Sequence, residues 1–128
     1  MRLLLDTHAL VWWGEDSPKL TSRARNGIDA GDNEVVVSAV SAMEITTKFR
    51  LGKLPGAGPL ATNFTSMMAT AKFETLPIST EHAVLAGSLA IPHKDPFDRL
   101  LIAQAMLEDL VLVSNEAVFD GFGVSRLW

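Results

Sequence analysis

Four acidic residues of this 128-residue chain stand just past apolar runs or at the starts of expected helices. Asp6 directly follows Leu3-Leu4-Leu5, and Glu44 comes shortly after Glu34-Val-Val-Val-Ser38. Asp98 lies two residues after Pro96, and Glu116 two residues after Ser114, which closes Leu110-Val-Leu-Val-Ser114. A short bounded apolar run reads as a buried strand. Asp is depleted in strands and costly to bury unpaired, so Asp6 marks the C-terminal end of the first one. In open α/β sheets ligands bind at that edge. Carboxylates brought together there suit phosphoryl transfer, because hard ions such as Mg²⁺ or Mn²⁺ prefer carboxylate oxygens. A pair of ions about 3.5–4 Å apart activates a water and stabilises the leaving oxygen of a phosphodiester. Acids packed together without metal repel, and at least one then has a raised pKa.

Each acid also has a structural reading. Ser41-Ala-Met-Glu44 has the form of a capping box, and Glu44 and Lys48 are spaced for an i,i+4 ion pair. Asp95-Pro96 reads as an N-cap with a first-turn proline, which places Asp98 at the third helical position, where the helix dipole favours an acid. Glu116 is a first-turn acid as well. Asp6, straight after a buried run, is the sharper functional signal.

His8 and His93 stand near Asp6 and Asp95, within reach of a phosphate or simply solvated; His82 reads as structural. Without HExxH or any cysteine, zinc chemistry is not indicated. Nor is there a GxSxG elbow, a GxxxxGK[ST] loop or a GxGxxG turn. Lys48, Arg50 and Lys53 form a basic cluster that is either a solvated helix end or a contact for RNA phosphates, and Arg99 is a second such candidate.

The elements that must position these groups alternate. Strands are expected at residues 2–6, 34–38, 75–79 and 110–114, with an edge strand at 123–127. Helices are expected at 7–14, from a Ser17 cap with Pro18 to about Ala30, at 40–51, 60–72, from Ser79 or Thr80 to about Ala90, at 96–108 and briefly at 116–119. Strands alternating with helices imply an α/β fold with a mainly parallel sheet of four or five strands, joined by right-handed crossovers. Strand ends and helix N-termini then share one rim, so the sequence permits a four-carboxylate cluster of Asp6, Glu44, Asp98 and Glu116.

The length suits one domain over residues 1–128. With 48% hydrophobic and 20% charged residues it has the profile of a soluble globular protein. A net charge of −4 argues against a general nucleic-acid coat but not against a metal-dependent enzyme on nucleic acid. No export signal or membrane span is visible, and the absence of cysteine fits a reducing cytoplasm.

Four segments carry a resemblance: LLLDTHALVWW at 3–13, VSAVSAMEITTKFRLGKL at 37–54, PHKDPFDRLLIAQA at 92–105 and LVSNEAVF at 112–119, with Leu127-Trp128 at the end. In this order they resemble the PIN-domain family, and within it the VapC-type toxin ribonucleases of toxin–antitoxin pairs. The resemblance implies a Mg²⁺- or Mn²⁺-dependent endoribonuclease with Asp6, Glu44 and Asp98 as its first three acids. Asp98 is preferred over Asp95 by its spacing to Leu101-Ile102. The fourth acid of the family is usually Asp, whereas here Glu116 stands in that place, one methylene longer. Thr7 and Ser114 would orient the acids, with Asp95 in a supporting place. The resemblance further implies an RNA substrate, a cognate antitoxin, and a homodimer or toxin–antitoxin hetero-oligomer. Residues 60–71, with Phe64, Met67 and Met68, are a candidate interface or plain core. Two other readings share the α/β pattern: a receiver-like phospho-signalling module and a catalytically inactive PIN-like interaction domain.

Overall fold

The computed structural model describes all residues, Met1–Trp128. Its five strands are β1 (Arg2–Leu5), β2 (Glu34–Ser38), β3 (Glu74–Leu76), β4 (Val111–Val113) and β5 (Arg126–Leu127). Between them run α1 (Thr7–Gly14), α2 (Ser22–Asp29), α3 (Ala39–Arg50), α4 (Gly58–Ala71), α5 (Thr80–Ser88) and α6 (Pro96–Glu108). Short 3₁₀ turns cover Pro55–Ala57 and Ala117–Phe122. Every strand pairing is parallel and the order is β3-β2-β1-β4-β5. A receiver-type sheet runs 2-1-3-4-5, so the topology removes the phospho-signalling alternative.

The apolar runs are buried on both faces, as a helix-covered parallel sheet requires. Leu3, Leu5, Val35, Val37 and Val113 pack with residues of α1, α2 and α4, among them Leu10, Ala24, Ile28, Leu60 and Met68. Leu4, Val36 and Leu112 point the other way, onto Leu101, Ile102 and Ala105 of α6 and onto Phe119. Helix α4 spends Leu60 and Met68 in the first of these cores, with Phe64 and Met67 packed half-buried beside them. The Met stripe is therefore largely core.

Three local expectations are corrected. Ser17 does not start α2; its hydroxyl accepts from Lys19 N–H at 3.2 Å in a local turn, and Thr21 caps the helix by accepting from Ala24 N–H at 3.1 Å. Short polar side chains compete for nearby backbone in this way. Ser41 is not the N-cap of α3 either. Ser38 is, accepting from Val40 N–H at 3.0 Å, so Glu44 lies in the second turn and belongs to no capping box. Finally, β3 runs over 74–76 rather than 75–79, because Pro77 has no N–H to extend the ladder.

Other boundaries follow their residues closely. Gly52, placed just after α3, adopts φ +75°, a conformation that suits glycine at a helix end. Ser79 caps α5, and His82 completes that cap: its backbone N–H donates to the Ser79 hydroxyl while its Nδ1 accepts from Ser79 N–H. The opposite nitrogen of His82 lies 2.9 Å from Glu108 Oε1, so this buried histidine is structural, as its place in a helix suggests.

Candidate active site

Strand β1 ends at Leu5, and the chain turns into α1 at Asp6, which serves as N-cap. Its backbone N–H still donates to Val113 O of the neighbouring strand at 3.0 Å, which anchors the turn to the sheet. Its carboxylate accepts from Ala9 N–H at 2.7 Å. The residue is only 5% exposed, and no cation forms an ion pair with its carboxylate. Burial pushes its pKa up to about 6; the Ser114 hydroxyl, the Ala9 N–H and His8 pull it down, and the Glu116 charge raises it further.

Asp98 rests in the first turn of α6, half-buried. Burial raises its pKa, His93 opposes this, and the charges of Asp95 and Glu116 raise it again. His93 Nε2 lies 2.7 Å from Asp98 Oδ2. Hydrogen bonding distinguishes Asp95 from Asp98. Asp95 Oδ1 accepts from Phe97 N–H at 2.9 Å and Asp98 N–H at 3.3 Å, so Asp95 is the cap and the Asp98 carboxylate is left for other work.

Glu116 begins the 3₁₀ turn after β4. Its N–H donates to the buried Ser114 Oγ at 3.0 Å, which fixes the backbone of the turn. Its carboxylate is not used as a cap, and its charge acts on both Asp6 and Asp98. The acid that departs from the family's usual residue is thus the one that stands near both of the others.

Glu44 behaves differently. It is buried, Thr7 Oγ1 donates to its Oε1 at 2.6 Å, and Lys48 holds its Oε2. Thr7 also lies 3.3 Å from Ser41 Oγ, so the residue after Asp6 stitches α1 to α3. The expected single cluster of four acids is therefore not drawn together. The Glu116 charge acts on Asp6 and on Asp98, Glu44 is held by Thr7 and Lys48, and no three acids or histidines converge closely enough to enclose an ion.

The donor set nevertheless fits a hard divalent cation. It consists of carboxylate oxygens, and a buried carboxylate without an ion-pair partner is relieved by a cation. Bound metal would supply a water acidified enough to attack a phosphodiester, and charge stabilisation for the departing oxygen.

The two basic candidates differ. Lys48 pairs with Glu44 through its ammonium, which has three N–H donors and stays partly exposed. Arg99 donates to five backbone carbonyls, those of Ala86, Gly87, Leu89, Ile91 and His93, at 2.6–3.5 Å. A guanidinium has five N–H donors, so Arg99 has none to spare for RNA. It is a clamp on the end of α5 and the loop after it. Sequence spacing hides this role, because its acceptors lie 6–13 residues away. The largest cavity, about 570 Å³, is lined by Trp13, Asp29, Glu34 and Phe73 at the N-terminal ends of β2 and β3. It lies at the opposite end of the strands from Asp6 and is lined by none of the four acids.

A parallel α/β sheet with acids gathered at the C-terminal ends of its central strands defines a class of carboxylate-bearing folds suited to metal-assisted phosphodiester chemistry. The PIN domain model matches residues 3–123, and the chain belongs to the PIN domain family. It is similar to the ribonuclease VapC22 of Mycobacterium tuberculosis, 26% identical over 117 residues, covering 89% of this chain and 86% of that protein. Among solved structures it is similar to VapBC2 from Rickettsia felis bound to a DNA fragment from their promoter. That match has a TM-score of 0.71 and 17% identity, covering 98% and 97% of the two chains. A toxin–antitoxin complex from Klebsiella pneumoniae aligns with a TM-score of 0.58 and 18% identity, over 94% and 92%.

Proposed function

We propose that residues 1–128 act as a single PIN nuclease domain, an endoribonuclease toxin of VapC type that hydrolyses RNA phosphodiesters and is neutralised by a cognate antitoxin. The observation that carries the chemistry is Asp6: a residue only 5% exposed whose carboxylate has no ion-pair partner and feels the charge of Glu116. A protein keeps such a group at a cost, and a cation at the rim offsets it. Membership of the PIN family and the similarity to a protein named as a ribonuclease support RNA as substrate. Similarity to toxin–antitoxin complexes supports an antitoxin partner, in a homodimer or a hetero-oligomer. The working ion is Mg²⁺ or Mn²⁺ and the compartment the cytoplasm; no helix is long and apolar enough to cross a membrane.

In this reading Asp6, Asp98 and Glu116 would be drawn together around a bound cation, and Ser114 and the start of α1 fix Asp6. Glu44 is the further acid, held by Thr7 and Lys48 until it is needed. Catalysis by these residues consists of holding charge in fixed places, which requires no reorganisation at the moment of reaction. With its first three acids intact the chain is not read as an inactive relative. Purified protein should cleave structured RNA with Mg²⁺ or Mn²⁺ and stop with EDTA, and Asp6→Asn and Asp98→Asn should each be inactive. Full cleavage by either variant would overturn the assignment.

A further inference from the structure

Asp98 has no capping duty, yet its position is tightly specified. His93 takes Oδ2 at 2.7 Å, and Oδ1 has no protein donor. The His93 ring packs on Phe122 at 5.7 Å and Phe119 at 6.2 Å between centroids. Both phenylalanines belong to the 3₁₀ turn that Glu116 introduces. On its backbone side, His93 O accepts from Arg99 at 2.8 Å, and the same guanidinium grips Ile91 O and the end of α5. His93 is thus fixed through its ring and its carbonyl at once, and it joins the segment carrying Asp98 to the one carrying Glu116.

We propose that His93 is a positioning residue of the active site: it holds one oxygen of Asp98 so that the other is presented to the metal, and Arg99 holds His93 in place. This rests on the metal-dependent nuclease reading above. The chemistry is that of an outer-shell partner. A carboxylate held by one hydrogen bond offers a single oriented oxygen, whereas a free one samples several rotamers and must be ordered on binding. A residue that only packed would need the ring but not Nε2. One that only capped would repeat what Asp95 already does. Clamping a loop carbonyl with a residue adjacent to Asp98 makes the arrangement self-referencing: the helix that carries the acid also carries the arginine that aligns its partner.

The test is Mn²⁺ binding by calorimetry, with thermal melts of the metal-free proteins beside it. His93→Phe keeps an aromatic ring against Phe119 and Phe122 but has no donor; His93→Gln keeps a donor. The expected result is that His93→Phe melts near wild type without metal yet binds Mn²⁺ roughly 10- to 100-fold more weakly, the size typical of an outer-shell partner. His93→Gln should recover part of that loss. Equal affinity in His93→Phe overturns the proposal, as does tighter binding, which would make His93 a competitor for the ion. If wild type itself takes up no Mn²⁺, the nuclease reading falls and this inference with it. Arg99→Lys should weaken Mn²⁺ binding in the same direction; where it does not fold, the His93 pair decides the matter.

Discussion

Replacing Asp6 by Asn should abolish cleavage and, in metal-free protein at neutral pH, raise stability. The folded pKa of about 6 stands above the ordinary 3.8. That difference of about two units corresponds to roughly 3 kcal/mol for holding the ionised carboxylate in the fold. The sign follows from linkage. A carboxyl whose pKa is raised by folding contributes its stability below its unfolded value, and that contribution is lost as pH rises through its folded value. Metal-free wild type should therefore lose stability between pH 3.8 and about 6 through this group. Asn carries no charge, and its carbonyl can accept from Ala9 N–H as the carboxylate does. The variant should gain up to about 3 kcal/mol at pH 7.5 and less than about 1 kcal/mol near pH 4. For a chain of this length the larger figure corresponds to a rise in Tm on the order of 10 °C. Melts followed by circular dichroism in EDTA, from pH 4 to 8, read both the size and the pH trend. A variant melting no higher than wild type at pH 7.5, with no gap opening as pH rises, would refute the claim that Asp6 is a strained, metal-seeking charge.

Other perturbations separate the roles of the remaining residues. Saturating Mn²⁺ should raise the Tm of wild type and leave Asp6→Asn nearly unmoved, because the ligand stabilises only the form that binds it. Lys48→Met leaves the buried Glu44 with Thr7 alone and should cost about 1–3 kcal/mol in urea unfolding. Arg99→Lys replaces five donors on five carbonyls by a single ammonium, and should lower stability by about 2–4 kcal/mol in the same assay. His82→Leu removes the reciprocal cap of α5 and the Glu108 contact, costing about 1–2 kcal/mol while Mn²⁺ affinity stays at the wild-type value.

The fold was largely legible because each element advertises itself locally. Thr7–Gly14 and Pro96–Glu108 have the bounds read from the sequence, and β1, β2 and β4 fall on the apolar runs, while β3 and the edge strand β5 are shorter than expected. Errors arose where two polar residues competed for one helix start. Ser17 and Thr21, like Ser38 and Ser41, carry the same capping chemistry, and only packing selects between them. The order β3-β2-β1-β4-β5 was not legible, since crossover handedness leaves several sheet orders open. For the site, strand-end logic led to Asp6, and helix spacing led to the Glu44–Lys48 pair. That Glu44 would be turned toward Thr7, and Arg99 toward five carbonyls, depends on contacts across 37 and 6–13 residues that no local pattern encodes. His93 was visible only as a histidine near Asp95; its hold on Asp98 spans a loop, outside helical spacing.

The most direct test of the central claim is a Mn²⁺ titration followed by electron paramagnetic resonance of the free ion, on wild type, Asp6→Asn, Asp98→Asn and Glu116→Gln. Wild type should take up the ion, and each variant should lose at least tenfold in affinity, because Glu116 stands where its charge acts on both Asp6 and Asp98. Uptake by Asp6→Asn equal to that of wild type would contradict the central claim.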